Sequence, residues 1–218
     1  RQRQMCIRDR NGAGKELLCQ ADEVRSDSTT LKIIQENSIA PLPFEITLYQ
    51  AVTKGKTMDL IIQKATELGA HRVVPVLSER SVPDWDEAKA AAKVEKWRSV
   101  CIESIKQCGS AWLPTLEMPM TPSAAIEDAQ GAEVSLIATL QSDAKHPRTH
   151  IDGYEAENGQ APKKLAIWVG PEGDYTPAEI NQIRGSALPI TLGPLVLRSE
   201  TAAIYCLAFL NYELQSRP

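Results

Sequence analysis

Along most of this chain, short apolar runs alternate with longer stretches of helical periodicity. Residues 45–52 (EITLYQAV) predict a strand. Residues 56–68 follow with Met58, Ile61, Ile62, Ala65 and Leu68 on one helical face. Gly69 stands where a helix-ending glycine belongs. Residues 72–77 predict a second strand, and the Ala- and Lys-rich residues 86–107 a long helix closed near Gly109. A short helix over 123–129 and a strand over 134–139 come next. Further strands are predicted at 165–169 and 189–192, and a last helix at 200–214. The polar stretch 142–163 has no apolar period and predicts a loop. Such alternation predicts an α/β domain built on a mostly parallel sheet.

The first 43 residues follow another pattern. Residues 1–10 are polar and unpatterned and predict no folded element. Asn11-Gly12 and Gly14 are turn signals. Leu17-Leu18 and residues 29–34 are short strand candidates around a polar turn at 26–28. That is too little for an independent β domain. Pro41 and Pro43 mark a boundary, so the chain divides into 1–43 and 44–218.

Composition narrows the function classes. At 218 residues, 43% hydrophobic, the chain is long enough to bury a core without disulfides. No apolar run reaches membrane-span length and no signal peptide opens the chain, so no membrane partner and a cytoplasmic location are expected. Cys6, Cys19, Cys101, Cys108 and Cys206 form no CxxC pair. His71, His146 and His150 share no ligand spacing, so no metal is expected. A net charge of −4 argues against a protein that coats nucleic acid nonspecifically. Any RNA must be read by a local basic patch, or by one assembled from two subunits.

Four segments carry candidate chemistry. In IWVGPEGDYTPAEI (167–180) a strand enters Gly170-Pro171-Glu172-Gly173 and a helix follows. Thr176 is its N-cap, Pro177 its first residue and Glu179 the third, a capping box. Such a strand-to-helix turn is either well-capped scaffold or a ligand loop. It is not the GxGxxG of dinucleotide binding. In ITLGPLVLRSETAAIYCLAFLNYEL (190–214) a strand ends at Leu192-Gly193, and an apolar loop leads through Arg198-Ser199-Glu200-Thr201 into the last helix. That loop either lines a pocket or packs into the core, with Arg198 paired to a carboxylate. In TKGKTMDLIIQKATELGA (53–70), Gly55-Lys56-Thr57 resembles the end of a P-loop. The glycine needed five residues earlier is Gln50, which rejects that motif. Lys54, Lys56 and Lys64 form either a phosphate-facing patch or a solvated helix face. CIESIKQCG (101–109) sets Glu103 and Gln107 four apart on one helix face.

KGKTMDLIIQKATELG, ESIKQCG, WVGPEG with TPAEI, and LGPLVLRSETAA, in this order, resemble the small-subunit (16S) ribosomal RNA methyltransferase E family of the SPOUT superfamily. These enzymes methylate N3 of a uridine. The matching pieces span residues 44–218, and residues 11–14 resemble a piece of the family's PUA-like β-barrel. The resemblance implies an α/β fold ending in a trefoil knot, a homodimer, S-adenosylmethionine (SAM) as cofactor, and 16S ribosomal RNA or the small subunit as partner. Carried over by position, the cofactor pocket would use Thr139, Leu140, Gly170, Pro171, Glu172, Gly173, Leu192, Gly193, Leu197, Ser199 and Thr201. One departure is visible. Many members carry an arginine soon after the glutamine of ESIKQ, where this chain has Gly109-Ser110-Ala111-Trp112.

Neutral uridine N3 is a poor nucleophile, and its anion spreads charge onto O2 and O4. A fixed guanidinium would stabilise that anion, which makes Arg198 the first catalytic candidate. Glu200 or Glu172 would accept the proton or orient Arg198. Glu200 equally suits the positive end of the last helix. The alternatives are another SPOUT enzyme acting on transfer RNA or a different ribosomal site, and an inactive RNA-binding module.

Overall fold

The computed structural model describes residues 6–81 and 85–217. Strands β1 (Cys6–Arg10), β2 (Lys15–Val24) and β3 (Thr29–Ser38) form an antiparallel sheet in chain order. The larger sheet has the order β6-β5-β4-β8-β7-β9. Its strands are β4 (Glu45–Ala51), β5 (Arg72–Val76), β6 (Thr115–Leu116), β7 (Val134–Ala138), β8 (Lys164–Val169) and β9 (Leu188–Ile190). Every pairing in it is parallel. The helices are α1 (Thr57–Glu67), α2 (Glu87–Cys108), α3 (Pro122–Asp128), α4 (Pro147–Asn158), α5 (Pro177–Arg184) and α6 (Ser199–Gln215). None among the described residues is long and apolar enough to cross a membrane.

The strands of the larger sheet are apolar on both faces, as a sheet covered on both sides requires. Along β4, Ile46 and Leu48 point into one core with α1, α2 and α6, while Tyr49 and Ala51 point into the other with α3 and α5. On the second side Tyr49 stacks on Trp168, ring centroids 4.3 Å apart. Trp168 donates its indole N–H to Ser135 at 3.1 Å, so the buried ring leaves no orphan donor.

The predicted elements from residue 44 onward are all present, with one correction. Residues 142–163 are not a loop throughout, because α4 lies within them. Ile151 is its one fully buried apolar side chain, too little for a visible period. The helix is held by its ends and its charges instead. His146 caps its start, and Gly159 ends it in the left-handed conformation, φ 71°. Arg148 pairs with Glu213 of α6, and Arg217 pairs with Asp152 and Glu155.

A second correction falls at the start of the chain. Residues 6–10 form β1 despite their polarity, in register from Cys6↔Gln20 to Arg10↔Glu16. The signal lies in cross-strand pairing, such as Arg10 with Glu16 at 2.7 Å, not in an apolar alternation. The expectation for residues 1–5 lies outside the described residues. The small sheet is clasped to the larger domain beyond α2. Gly14 N–H donates to Ala111 O at 2.9 Å, Leu113 N–H to Gly12 O at 2.9 Å, and the Trp112 indole to Ile39 O at 3.0 Å.

Candidate active site

The C-terminal ends of β7, β8 and β9 lie side by side and open into a cavity of about 300 Å³. Loop segments at strand ends are where open α/β sheets bind ligands. The turn after β8 is tightly built. Asp174 has φ 58°, the one non-glycine positive φ among the described residues. Its N–H donates to Pro171 O at 2.9 Å, and its carboxylate accepts from Tyr175 N–H at 2.8 Å. Gly170 is required by this packing, because an added Cβ would stand 2.8 Å from Asp174 Oδ1 and 3.3 Å from Asp174 Cα. Tyr175 is buried and donates to Val169 O at 3.2 Å. Burial first, then the charges of Glu179 and Asp174, push its phenol well above the ordinary range. The predicted capping box is present, and Glu179 also reaches across to accept Glu79 N–H at 2.8 Å.

A second wall comes from the loop between β9 and α6. Gly193 has φ 109°, and a Cβ there would meet nothing within 4 Å. Leu195 and Val196 are 73% and 77% exposed, an unusual placement for adjacent apolar side chains. They line the cavity together with Leu192 and Leu197.

Of the residues expected around a cofactor, Thr139, Leu140, Gly170, Pro171, Glu172, Gly173, Leu192, Gly193, Leu197 and Ser199 all line this cavity. Thr201 does not. It is on the exposed side of α6, and Ala202, the next residue, faces the cavity instead. Neither Arg198 nor Glu200 lines the cavity, but both flank Ser199 at its edge. Arg198 is exposed and forms no ion pair with Glu200 or Glu172. Lys54 and Lys56 are exposed at the start of α1, and the Lys54 N–H donates to Glu172 Oε1 at 3.2 Å. Lys64 is farther along α1 and is tied to Glu67 at 2.7 Å. Glu103 is exposed and paired with Lys106, so it belongs to a solvated helix face.

Two residues escaped the sequence reading. Gln50, fully buried, stands behind the cavity wall. Its Nε2 donates to Ser199 Oγ at 3.0 Å and faces the Val169 and Gly170 carbonyls at 3.4 and 3.5 Å. Its Oε1 and the neighbouring Thr53 Oγ1 are buried without a hydrogen-bond partner among the described residues. The position had served only to reject a P-loop. A polar residue inside an otherwise apolar strand was the available signal. Arg80, in the loop after β5, donates Nη1 to Gly173 O at 2.6 Å, and nothing in the sequence marks it. A larger cavity, about 590 Å³, opens at the other end of β7 near His150 and Tyr154. It lacks a glycine turn and lies away from the strand C-termini, so its size does not make it the better site.

Residues 40–211 match the RNA methyltransferase domain family. A Bacillus subtilis protein named ribosomal RNA small subunit methyltransferase E is 30% identical over 93% of this chain and 79% of its own length. An Aquifex aeolicus protein of the same name is 30% identical over 90% and 81%. A Legionella pneumophila methyltransferase solved with SAM bound superposes with a TM-score of 0.86 at 30% identity, covering 96% of this chain and 84% of the other. A Neisseria gonorrhoeae ribosomal RNA small subunit methyltransferase E, also bound to SAM, gives 0.82 at 25% identity, with the same coverage. With a domain match over residues 40–211 and relatives 30% identical along most of both lengths, the chain belongs to the ribosomal RNA small subunit methyltransferase E family.

Proposed function

We propose that this protein is a SAM-dependent methyltransferase acting on N3 of a uridine in 16S ribosomal RNA, in the cytoplasm. The observation that carries the reading is the single cavity at three adjacent strand ends, lined by all the expected cofactor residues except Thr201. The lining suits SAM. Gly193 and the 170–173 turn allow close backbone approach, and the leucines and Val196 offer an apolar surface to a purine. When bound, the cofactor supplies the electrophilic methyl group. The chain's own residues would position the uracil and handle its proton. Arg198, exposed at the cavity edge and without an ion pair among the described residues, would face an anionic O2 or O4. Glu172, held through one oxygen by the Lys54 N–H, has its second oxygen left to take the N3 proton. Glu200, in the first turn of α6, is the other candidate base.

The remaining expectations rest on the same reading. After the edge strand β9, α6 returns to pack on α1, β4 and β8 in the middle of the sheet, the path a C-terminal trefoil knot would take. The β1–β3 sheet suits a portion of a PUA-like RNA-docking domain within residues 1–43. A homodimer would cover the outer face of α6, where Tyr205 and Tyr212 are 47% and 72% exposed. Light scattering reads that state directly.

Incubation with small-subunit RNA and labelled SAM, followed by nucleoside mass spectrometry, tests the function. Label in 3-methyluridine is expected. Label in any other nucleoside, or none with folded protein that binds SAM, overturns the specificity assigned here.

A further inference from the structure

The protein carries a net charge of −4, so an RNA strand must be held by cations gathered locally. Three loops meet at the 170–173 turn, and each is pinned to it. The β4–α1 loop is pinned by the Lys54 N–H on Glu172 Oε1 at 3.2 Å. The β5–α2 loop is pinned by Arg80 on Gly173 O at 2.6 Å. The start of α6 is pinned by Ser199 Oγ on Gly170 O at 2.5 Å. Each loop also brings exposed positive charge: Lys54 and Lys56 from the first, Arg80 from the second, Arg198 from the third. None of these four side chains has an ion-pair partner among the described residues. Lys64, by contrast, is neutralised by Glu67.

We infer that Arg80 is an RNA-binding residue, the third side of a cationic rim formed with Lys54, Lys56 and Arg198 around the mouth of the cavity, and that this rim holds the phosphates flanking the target nucleotide. The inference rests on the assignment of this cavity as the methylation site. Arg80 is well placed for the task. Its loop is fixed from below by the Glu79 N–H on Glu179 Oε1 at 2.8 Å, and is closed by a Ser78–Ser81 turn with the two hydroxyls 2.7 Å apart. The bond to Gly173 O occupies one donor of a guanidinium that has five, and the residue is exposed. A phosphate is a ligand such a fork matches. Of the two carboxylates in the turn, Glu172 accepts the Lys54 N–H at 3.2 Å and Asp174 accepts the Tyr175 N–H at 2.8 Å, and neither forms an ion pair with Arg80. Base identity is then left to the cavity itself, since phosphate contacts position a strand without reading it.

Binding of a fluorescent small-subunit RNA fragment, measured across a salt series, tests this. Arg80→Gln keeps an N–H donor for the Gly173 carbonyl but removes the charge. It should weaken RNA binding several-fold and flatten the slope of log K against log salt by about 0.7–0.9, one phosphate contact. S-adenosylhomocysteine affinity and melting temperature should stay at wild-type values. Arg80→Glu should weaken RNA further without loosening the cofactor. If Arg80 serves only to brace the turn, Arg80→Gln will bind RNA with unchanged affinity and slope, and Arg80→Ala will lose cofactor affinity instead; that result overturns the inference. Wild-type protein that binds cofactor but no RNA would overturn the methyltransferase reading as well, and so is distinguishable from failure of the Arg80 assignment alone.

Discussion

The Ser199 hydroxyl donates to the Gly170 carbonyl at 2.5 Å, joining the first residue of α6 to the turn after β8. Gln50 completes the junction from β4 by donating to the same hydroxyl at 3.0 Å. Two strand ends, those of β4 and β8, and one helix start are thereby fixed around one cavity wall. Ser199→Ala should cost about 1 kcal/mol of stability, the usual net worth of one such bond. It should also weaken S-adenosylhomocysteine binding by roughly fivefold, the same free energy read as affinity. Calorimetry and thermal melting on one preparation measure both. Unchanged cofactor affinity would mean that the junction holds the fold and not the cavity.

The two cavity glycines should fail differently. At Gly170 a methyl group collides with Asp174 inside the turn, so Gly170→Ala should lower the melting temperature and the cofactor affinity together. At Gly193 the space is open but φ is 109°. Gly193→Ala should therefore cost about 1 kcal/mol or more in backbone strain. Any loss of binding beyond that strain would mean that the added methyl intrudes on the cofactor.

Among the described residues Arg198 has no carboxylate partner to hold, so its removal should leave the fold alone. Arg198→Ala should melt within a degree or two of wild type, as expected of an exposed side chain. Its turnover should fall about a hundredfold or more if it stabilises the uracil anion. Arg198→Lys should restore little, because lysine lacks the planar fork. Normal turnover in the alanine variant would remove Arg198 from the catalytic set.

Glu213 supplies a pH test far from the cavity. It is buried in α6, and the Arg148 guanidinium, helped by Arg217, holds its carboxyl below the ordinary carboxylate range against the opposing effect of burial. A depressed folded-state pKa means that its contribution is complete above the unfolded value and is lost as pH falls through the folded one. Glu213→Gln should destabilise the protein by roughly 2 kcal/mol at neutral pH. That gap should begin to narrow as pH falls through the ordinary carboxylate range, and close only once the wild-type carboxyl is itself protonated, below its depressed folded value. A gap that does not narrow at all as the solution is acidified would mean that shape, not charge, secures the α4–α6 contact.

The α/β domain was legible because its strands and most helices bury enough apolar residues to impose a period, as α1 does with Met58, Ile61, Ile62 and Ala65. Helix α4 was not, because its stability comes from caps and from ion pairs with residues more than sixty positions away. The same reason hid β1. In the site, the glycine turn and the apolar loop could be placed from sequence because conformational demands write themselves into residue type. Gln50 and Arg80 could not. Their roles depend on carbonyls at Val169, Gly170 and Gly173, and a carbonyl is the same at every position. Which side of α6 faces the cavity was not legible either, and there Ala202 lines the wall where Thr201 does not.

The clasp at Trp112 has a consequence for how the chain folds. A three-stranded sheet with Ile33 and Ile34 about half exposed holds too little core to persist unaided. Its purchase on the rest of the molecule runs through Ala111, Trp112 and Leu113, and Gly14 can lie against the indole only because it has no side chain. The contacts that seat residues 6–38 on the larger sheet's domain therefore cannot form, during synthesis, until a docking surface encoded some seventy residues later has emerged. The earliest of the described strands to leave the ribosome would reach their final seat only after α2 has been made.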